Sequence, residues 1–75
     1  MVNAIQAKRI LYSKALEDNV EQIDRVEKLI YEALDDNKQT ITLENIELPS
    51  GVRYALVYNQ FKLEYGGEGK TCIRW

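Results

Sequence analysis

The sequence has no histidine, one cysteine, one proline, one phenylalanine, one tryptophan and four glycines in 75 residues. Without histidine, the usual zinc patterns and the Ser/His/Asp and Cys/His pairings of nucleophilic catalysis cannot be assembled. With Cys72 alone, no intramolecular disulfide forms, and a lone cysteine fits a reducing compartment, so a cytoplasmic protein is expected. Long hydrophobic runs are missing too. Gln6, Lys8, Arg9, Ser13 and Lys14 interrupt residues 1–16, which argues against a signal peptide and against a membrane span. Neither sign of charge is in great excess. Ten basic and twelve acidic residues give a formal charge of −2, which does not describe a general nucleic-acid binder, whose affinity rests on basic surface.

A chain of this length makes a single domain, and it buries only roughly 60–65% of its unfolded surface, so its stability margin is thin. The charge it has is unevenly spread. Lys8, Arg9 and Lys14 precede every acidic residue, whereas Glu17, Asp18, Glu21, Asp24, Glu27, Glu32, Asp35 and Asp36 dominate the middle. Such a run reads either as a solvated helix surface or as an acidic face that docks on a basic partner or mimics nucleic acid.

Residues 4–36 are rich in Ala, Leu, Glu, Lys, Gln and Arg and hold no Gly or Pro, as a helix should. Ile5, Leu11, Tyr12, Ala15 and Leu16, then Ile23, Val26, Leu29, Ile30, Ala33 and Leu34, keep the i, i+3, i+4 steps of one face. Glu17-Asp18-Asn19 interrupts them. Asn19 with Gln22 has capping-box spacing, which predicts a second helix and an αα-hairpin with a turn of two or three residues. The apolar stripe nevertheless stays in phase across the interruption. That predicts instead one continuous helix with Asn19 as a polar position in a coiled coil. Such a helix would need a second copy of the chain, through Tyr12, Asn19, Ile23, Val26 and Ile30. Ile10, Val20 and Tyr31 lean toward the other side and mark a candidate second contact face.

Asn37 is the expected left-handed residue ending the helical region. Thr40-Ile41-Thr42-Leu43 alternates as a strand. After Leu48-Pro49-Ser50-Gly51 the spacing fits either a strand or a short helix over residues 50–58; proline's tolerance at a helix start favours the helix. Asn59 is its expected cap. Phe61, Leu63 and Tyr65 alternate with Lys62 and Glu64, and a loop with Gly66, Gly67 and Gly69 leads to a last strand through Cys72 and Ile73 to Trp75. The expected fold is α+β: N-terminal helical segments on a small antiparallel sheet of about three strands with a C-terminal β-hairpin.

The segments Asn59-Gln60-Phe61-Lys62-Leu63 and Ile73-Arg74-Trp75 give the chain a resemblance. From about Ile23 onward it resembles small uncharacterised phage-encoded α+β proteins, which run helix, strand, short helix and hairpin and finish in Ile-x-Trp. It departs from them at Asn59-Gln60, where a glycine is expected, and at Arg74, where a serine is usual. The resemblance implies a fold, a viral setting and a host cytoplasm, and carries over no functional residue.

Gly66-Gly67-Glu68-Gly69-Lys70-Thr71 ends like a phosphate-binding loop, but Glu64 stands where its first glycine is required and only six residues follow Gly69, too few for the helix that holds the phosphates. Cys72 is expected to be a small buried residue. Arg53, Tyr54, Tyr58, Lys62, Tyr65, Lys70, Arg74 and Trp75 gather cations and aromatics. That mixture serves a fold, a protein interface or a nucleotide pocket. The chain is therefore expected to be a non-enzymatic homo-oligomer without cofactor that modulates a host protein by surface complementarity. The alternatives are an oligomeric sponge for a small nucleotide signal, using Arg53, Lys70, Arg74 and the tyrosines, and a minor virion or assembly component.

Overall fold

The computed structural model describes residues 1–67 and 69–75; Glu68 of the glycine loop lies outside the described residues. Three helices and three strands follow in the order α1 (Ala4–Asp18), α2 (Val20–Asp35), β1 (Thr40–Glu44), α3 (Ser50–Tyr58), β2 (Lys62–Gly66) and β3 (Lys70–Arg74). The expected α+β architecture is therefore present, with the helices on one side of a three-stranded antiparallel sheet and the hairpin at the C-terminus.

Helix α1 starts on a reciprocal capping box. The Gln6 amide donates to Asn3 Oδ1 at 2.8 Å, and the Asn3 amide donates to Gln6 Oε1 at 3.1 Å. The box expected at Asn19 and Gln22 is not formed. Asn19 sits at φ −134°, ψ 33°, with no side-chain cap on α2; its Nδ2 donates backward to the Ala15 carbonyl at 2.9 Å. Neither sequence reading of this region survives intact. The break is a single residue, too short for a hairpin, and α1 leans on α3 while barely touching α2. The longest dimension of the molecule is 44 Å, close to the summed length of about 46 Å for α1 and α2 laid end to end. Of the apolar stripe, Ala15 on α1 and Val26, Ile30 and Ala33 on α2 are buried, whereas Ile5 and Leu11 at the far end of α1 stay exposed.

Helix α2 ends in a Schellman motif. Lys38 N–H donates to Ala33 O at 2.8 Å and Asn37 N–H to Leu34 O at 3.0 Å, with Asn37 at φ 58° as expected. Pro49 sets the start of α3, and Phe61 N–H donates back to Leu56 O at 3.0 Å to close it. Asn59 is the cap, but the left-handed residue is Gln60, at φ 69°. A β-carbon there is strained by about 1–2 kcal/mol. Gln60→Gly is therefore expected to stabilise the chain by about 0.5–1 kcal/mol after the extra unfolded-state entropy of glycine is subtracted. Thermal unfolding checks it, and a lowered midpoint would count against the assignment.

The sheet order is β1-β3-β2, so the strand preceding α3 pairs with the last strand, not with β2. In register, Ile41, Ile73 and Leu63 form one row across the sheet. Period two sends this row, with Leu43, toward the helices. Val26 and Ile30 of α2, Leu48, and Val52 and Leu56 of α3 meet it to form the core. The opposite face is covered by no helix and carries Thr40, Thr42, Glu44, Lys62, Glu64, Lys70, Cys72 and Arg74.

Candidate functional site

The largely apolar cleft of about 420 Å³ between the three helices is the leading candidate site. Helix α1 contributes Tyr12 and Leu16, α2 contributes Ile23, Val26, Ile30, Tyr31 and Leu34, and α3 contributes Leu56, followed by its cap Asn59 and by Phe61. Helical spacing explains this set. Ile23, Val26 and Ile30 point into the body, and Leu34 and Tyr31 follow at its margin. Val26 and Ile30 are buried and form the floor, whereas Leu34 and Tyr31 remain 46% and 66% exposed. Of the residues expected at an oligomer contact, Tyr12, Ile23, Val26 and Ile30 line this cleft. Asn19 does not; it lies at the break, against Gly51.

Tyrosines hold α1 in place. The Tyr12 and Tyr58 rings stack with centroids 4.3 Å apart, and Tyr54 lies 6.3 Å from Tyr58. Tyr54 OH donates to the Lys8 carbonyl at 3.1 Å, and Asn59 Nδ2 donates to Tyr12 Oη at 3.0 Å. Tyr54 and Tyr58, read from the sequence as binding residues, thus clasp α1 to α3 and do not themselves line the cleft, which takes Tyr12 of this cluster as a lining residue.

The other candidate residues divide among three places. Arg53, Tyr65 and Lys70 meet in a second cleft of about 430 Å³, together with Asn45, Glu47, Leu48 and Thr71. Lys62 and Arg74 stand side by side on the uncovered sheet face, opposite one another in the ladder. Trp75 meets Phe61 edge-on with centroids 6.0 Å apart and packs at the margin of the core. The cations have local partners: Arg74 pairs with Glu64 at 3.1 Å and Lys70 approaches Glu44 at 3.9 Å, both exposed and hence worth little. Lys70 and Thr71 belong to β3, not to a helix N-terminus, so the glycine loop lacks the backbone geometry that cradles a phosphate.

Cys72 corrects an expectation. It is not a core residue: Thr71 and Ile73 take the buried parity of β3, and Cys72 lies partly exposed in the middle of the uncovered face. Thr40 Oγ1 lies 3.0 Å from its sulfur. That hydrogen bond, followed by those of Arg74 and Thr42, holds the thiol below its usual range against the opposing effect of desolvation. Parity with Ile73 was the sequence signal for this placement.

The α2 surface beside the cleft is acidic. Asp24, Glu27, Glu32 and Asp35 surround Tyr31, with Lys28 as the one cation among them. Glu27 and Tyr31 border both this furrow and the apolar cleft. Among the described residues, no group of three Cys, Asp or Glu side chains is placed to hold a metal ion, and no helix is long and apolar enough to cross a membrane. Fold and cleft together define a small α+β domain with an open apolar seat and an acidic margin. No protein-family model, curated protein or solved structure matches the chain.

Proposed function

We propose that this chain is a non-enzymatic binding protein that seats an amphipathic helix of basic character, from a protein partner, in the cleft between α1, α2 and α3. One observation carries the reading. Large apolar side chains, Tyr31 and Leu34, stay exposed at the edge of an apolar cleft, and an exposed apolar patch rimmed by polar groups marks an interaction surface. A helix laid into a groove by its apolar side is a common recognition mode. The carboxylates of Asp24, Glu27, Glu32 and Asp35 select a helix whose flanks are basic.

Fluorescence anisotropy with a labelled model peptide of leucine and lysine at helical spacing tests the seat. Saturable binding that weakens with salt is expected, and Tyr31→Asp with Leu34→Asp should abolish it while the far-ultraviolet circular dichroism stays unchanged. A leucine–glutamate peptide binding equally well overturns the proposal.

A second reading has its own observation. Arg53 and Tyr65 line one cleft, as sequestration of a small nucleotide would use them, while Lys70 at its rim turns its amine toward Glu44 on the other sheet face. Glu47 shares that cleft and opposes an anion. A thermal shift with mono-, di- or cyclic nucleotides, lost in Arg53→Ala, would support this reading; no shift removes it for those ligands.

A further inference from the structure

We infer that the helix seated in the cleft is α1 of a second copy of this chain, in a reciprocal twofold dimer; this rests on the cleft reading above and names its occupant. The first observation concerns α1 itself. Its N-terminal half is exposed throughout, with Ile5 66% and Leu11 54% open, and Val2 just before the helix 54% open. Helix α3 has nine residues against the fifteen of α1, so its own length cannot cover the N-terminal half of α1. Ile5, Lys8 and Arg9 stand at i, i+3 and i+4 and share one side of that half. This is an apolar knob flanked by two cations.

The second observation is charge. From Ala4 to Leu16 the chain carries Lys8, Arg9 and Lys14 and no acid, whereas α2 carries Glu21, Asp24, Glu27, Glu32 and Asp35 against Arg25 and Lys28. Donor and acceptor surfaces are thus opposite in sign. A subunit cannot satisfy its own cleft with its own Ile5, because the Tyr12–Tyr58 stack and the Tyr54 bond to Lys8 tie α1 to α3. Two copies can satisfy each other. Each has one free α1 half and one open cleft, and the proposed arrangement about a twofold axis pairs both at once and so closes at two. In the dimer, Ile5 enters the partner's apolar cleft near Leu34 and Tyr31, and Lys8 and Arg9 meet the acidic α2 margin.

Sedimentation velocity across the micromolar range, on the full chain, tests this. The expected result is a dimer that loosens as salt rises. Ile5→Asp, at an exposed position, and the pair Lys8→Glu with Arg9→Glu should each give monomers with unchanged circular dichroism. Adding Glu32→Lys and Asp35→Lys to the Lys8/Arg9 pair should restore the dimer. A dimer indifferent to Ile5 and to Lys8/Arg9, or a charge reversal that is not rescued, overturns the inference. A wild-type chain that stays monomeric overturns it as well. In that case binding of the leucine–lysine peptide decides the cleft reading separately: retained binding leaves a foreign helix as occupant, and its absence removes both.

Discussion

Ile73→Ala is expected to remove about 3–5 kcal/mol of stability, close to the whole margin of a domain this size, which is about 4–11 kcal/mol at typical values per residue. Most of the variant should be unfolded in mild urea, and its cooperative transition should be lost or displaced far downward. The reason lies in the position. Ile73 has 0% exposure and sits on β3, the one strand paired on both sides, between Ile41 and Leu63 in register. Helices α2 and α3 close over that row through Val26, Ile30, Val52 and Leu56. Truncation leaves a cavity that a strand paired on both sides cannot collapse into. Ile73→Val, which removes one methylene, should cost only about 0.5–1.5 kcal/mol and keep the cooperative transition. Urea unfolding followed by circular dichroism separates the two. A wild-type midpoint for Ile73→Ala would show that the row is not the core.

The parts of this fold that were legible are those set by neighbours in sequence. The alternation of Phe61, Leu63 and Tyr65, the β-branched run at Thr40–Thr42, and Pro49 before a helix-compatible stretch each act locally. The hairpin, β1 and α3 appear where those signals lie. Asn37 was legible for the same reason, since a left-handed helix end is a local demand. What was not legible depends on contacts between distant segments. The partner of β1 is chosen by which edge of the hairpin lets Ile41 join Ile73 and Leu63 in one row, and no local pattern carries that information. Asn19 had two local readings, a cap and a coiled-coil position, and the structure gives it a third use. The tyrosines were read by composition as binding groups, but three of them meet only because α1 crosses α3. Cys72 differs: parity with Ile73 placed it on the outer face, and its apolar character obscured that.

The candidate cleft was half legible. Tyr12, Ile23, Val26 and Ile30 were grouped by their helical stripe as a surface for a second copy. The floor of that stripe, Val26 and Ile30, is consumed by the chain's own sheet and α3. What remains available is the edge, Tyr31 and Leu34, together with the exposed start of α1. A sequence stripe does not say how wide a band the body will cover, because that depends on the size of what packs beneath it. Here a sheet of three five-residue strands and a nine-residue helix face a helical region of about 46 Å, and the excess is left open.

Gly51→Ala is expected to destabilise the chain by about 1–3 kcal/mol, an overpacking cost, although alanine is the better helix former. Gly51 lies in the first turn of α3, where α3 meets the break between α1 and α2. A β-carbon at this position would collide with Asn19 Nδ2 and come within 3.4 Å of Asn19 Cγ and 3.5 Å of Ala15 Cβ. Glycine here serves close approach. Asn19 cannot move aside freely, because its Nδ2 is bonded to the Ala15 carbonyl, and giving that bond up costs about 0.5–1.5 kcal/mol net. If instead α1 shifts, the strain passes to the Tyr12–Tyr58 stack and the Tyr54 bond to Lys8, and near-ultraviolet circular dichroism of the tyrosines should report it. The cause can be isolated by a double-mutant cycle with Asn19→Ala. In that background the colliding amide is gone, so Gly51→Ala should become neutral or slightly stabilising, leaving a coupling energy of about 1–2 kcal/mol between two residues that touch. The same penalty in both backgrounds would mean that Gly51 is needed for something other than room at the break. If the penalty depends on Asn19 as expected, the break is a built joint in which the missing side chain on α3 and the backward-bonded amide of Asn19 fix the angle of α1, and with it the width of the cleft that Tyr12 and Leu16 wall on one side.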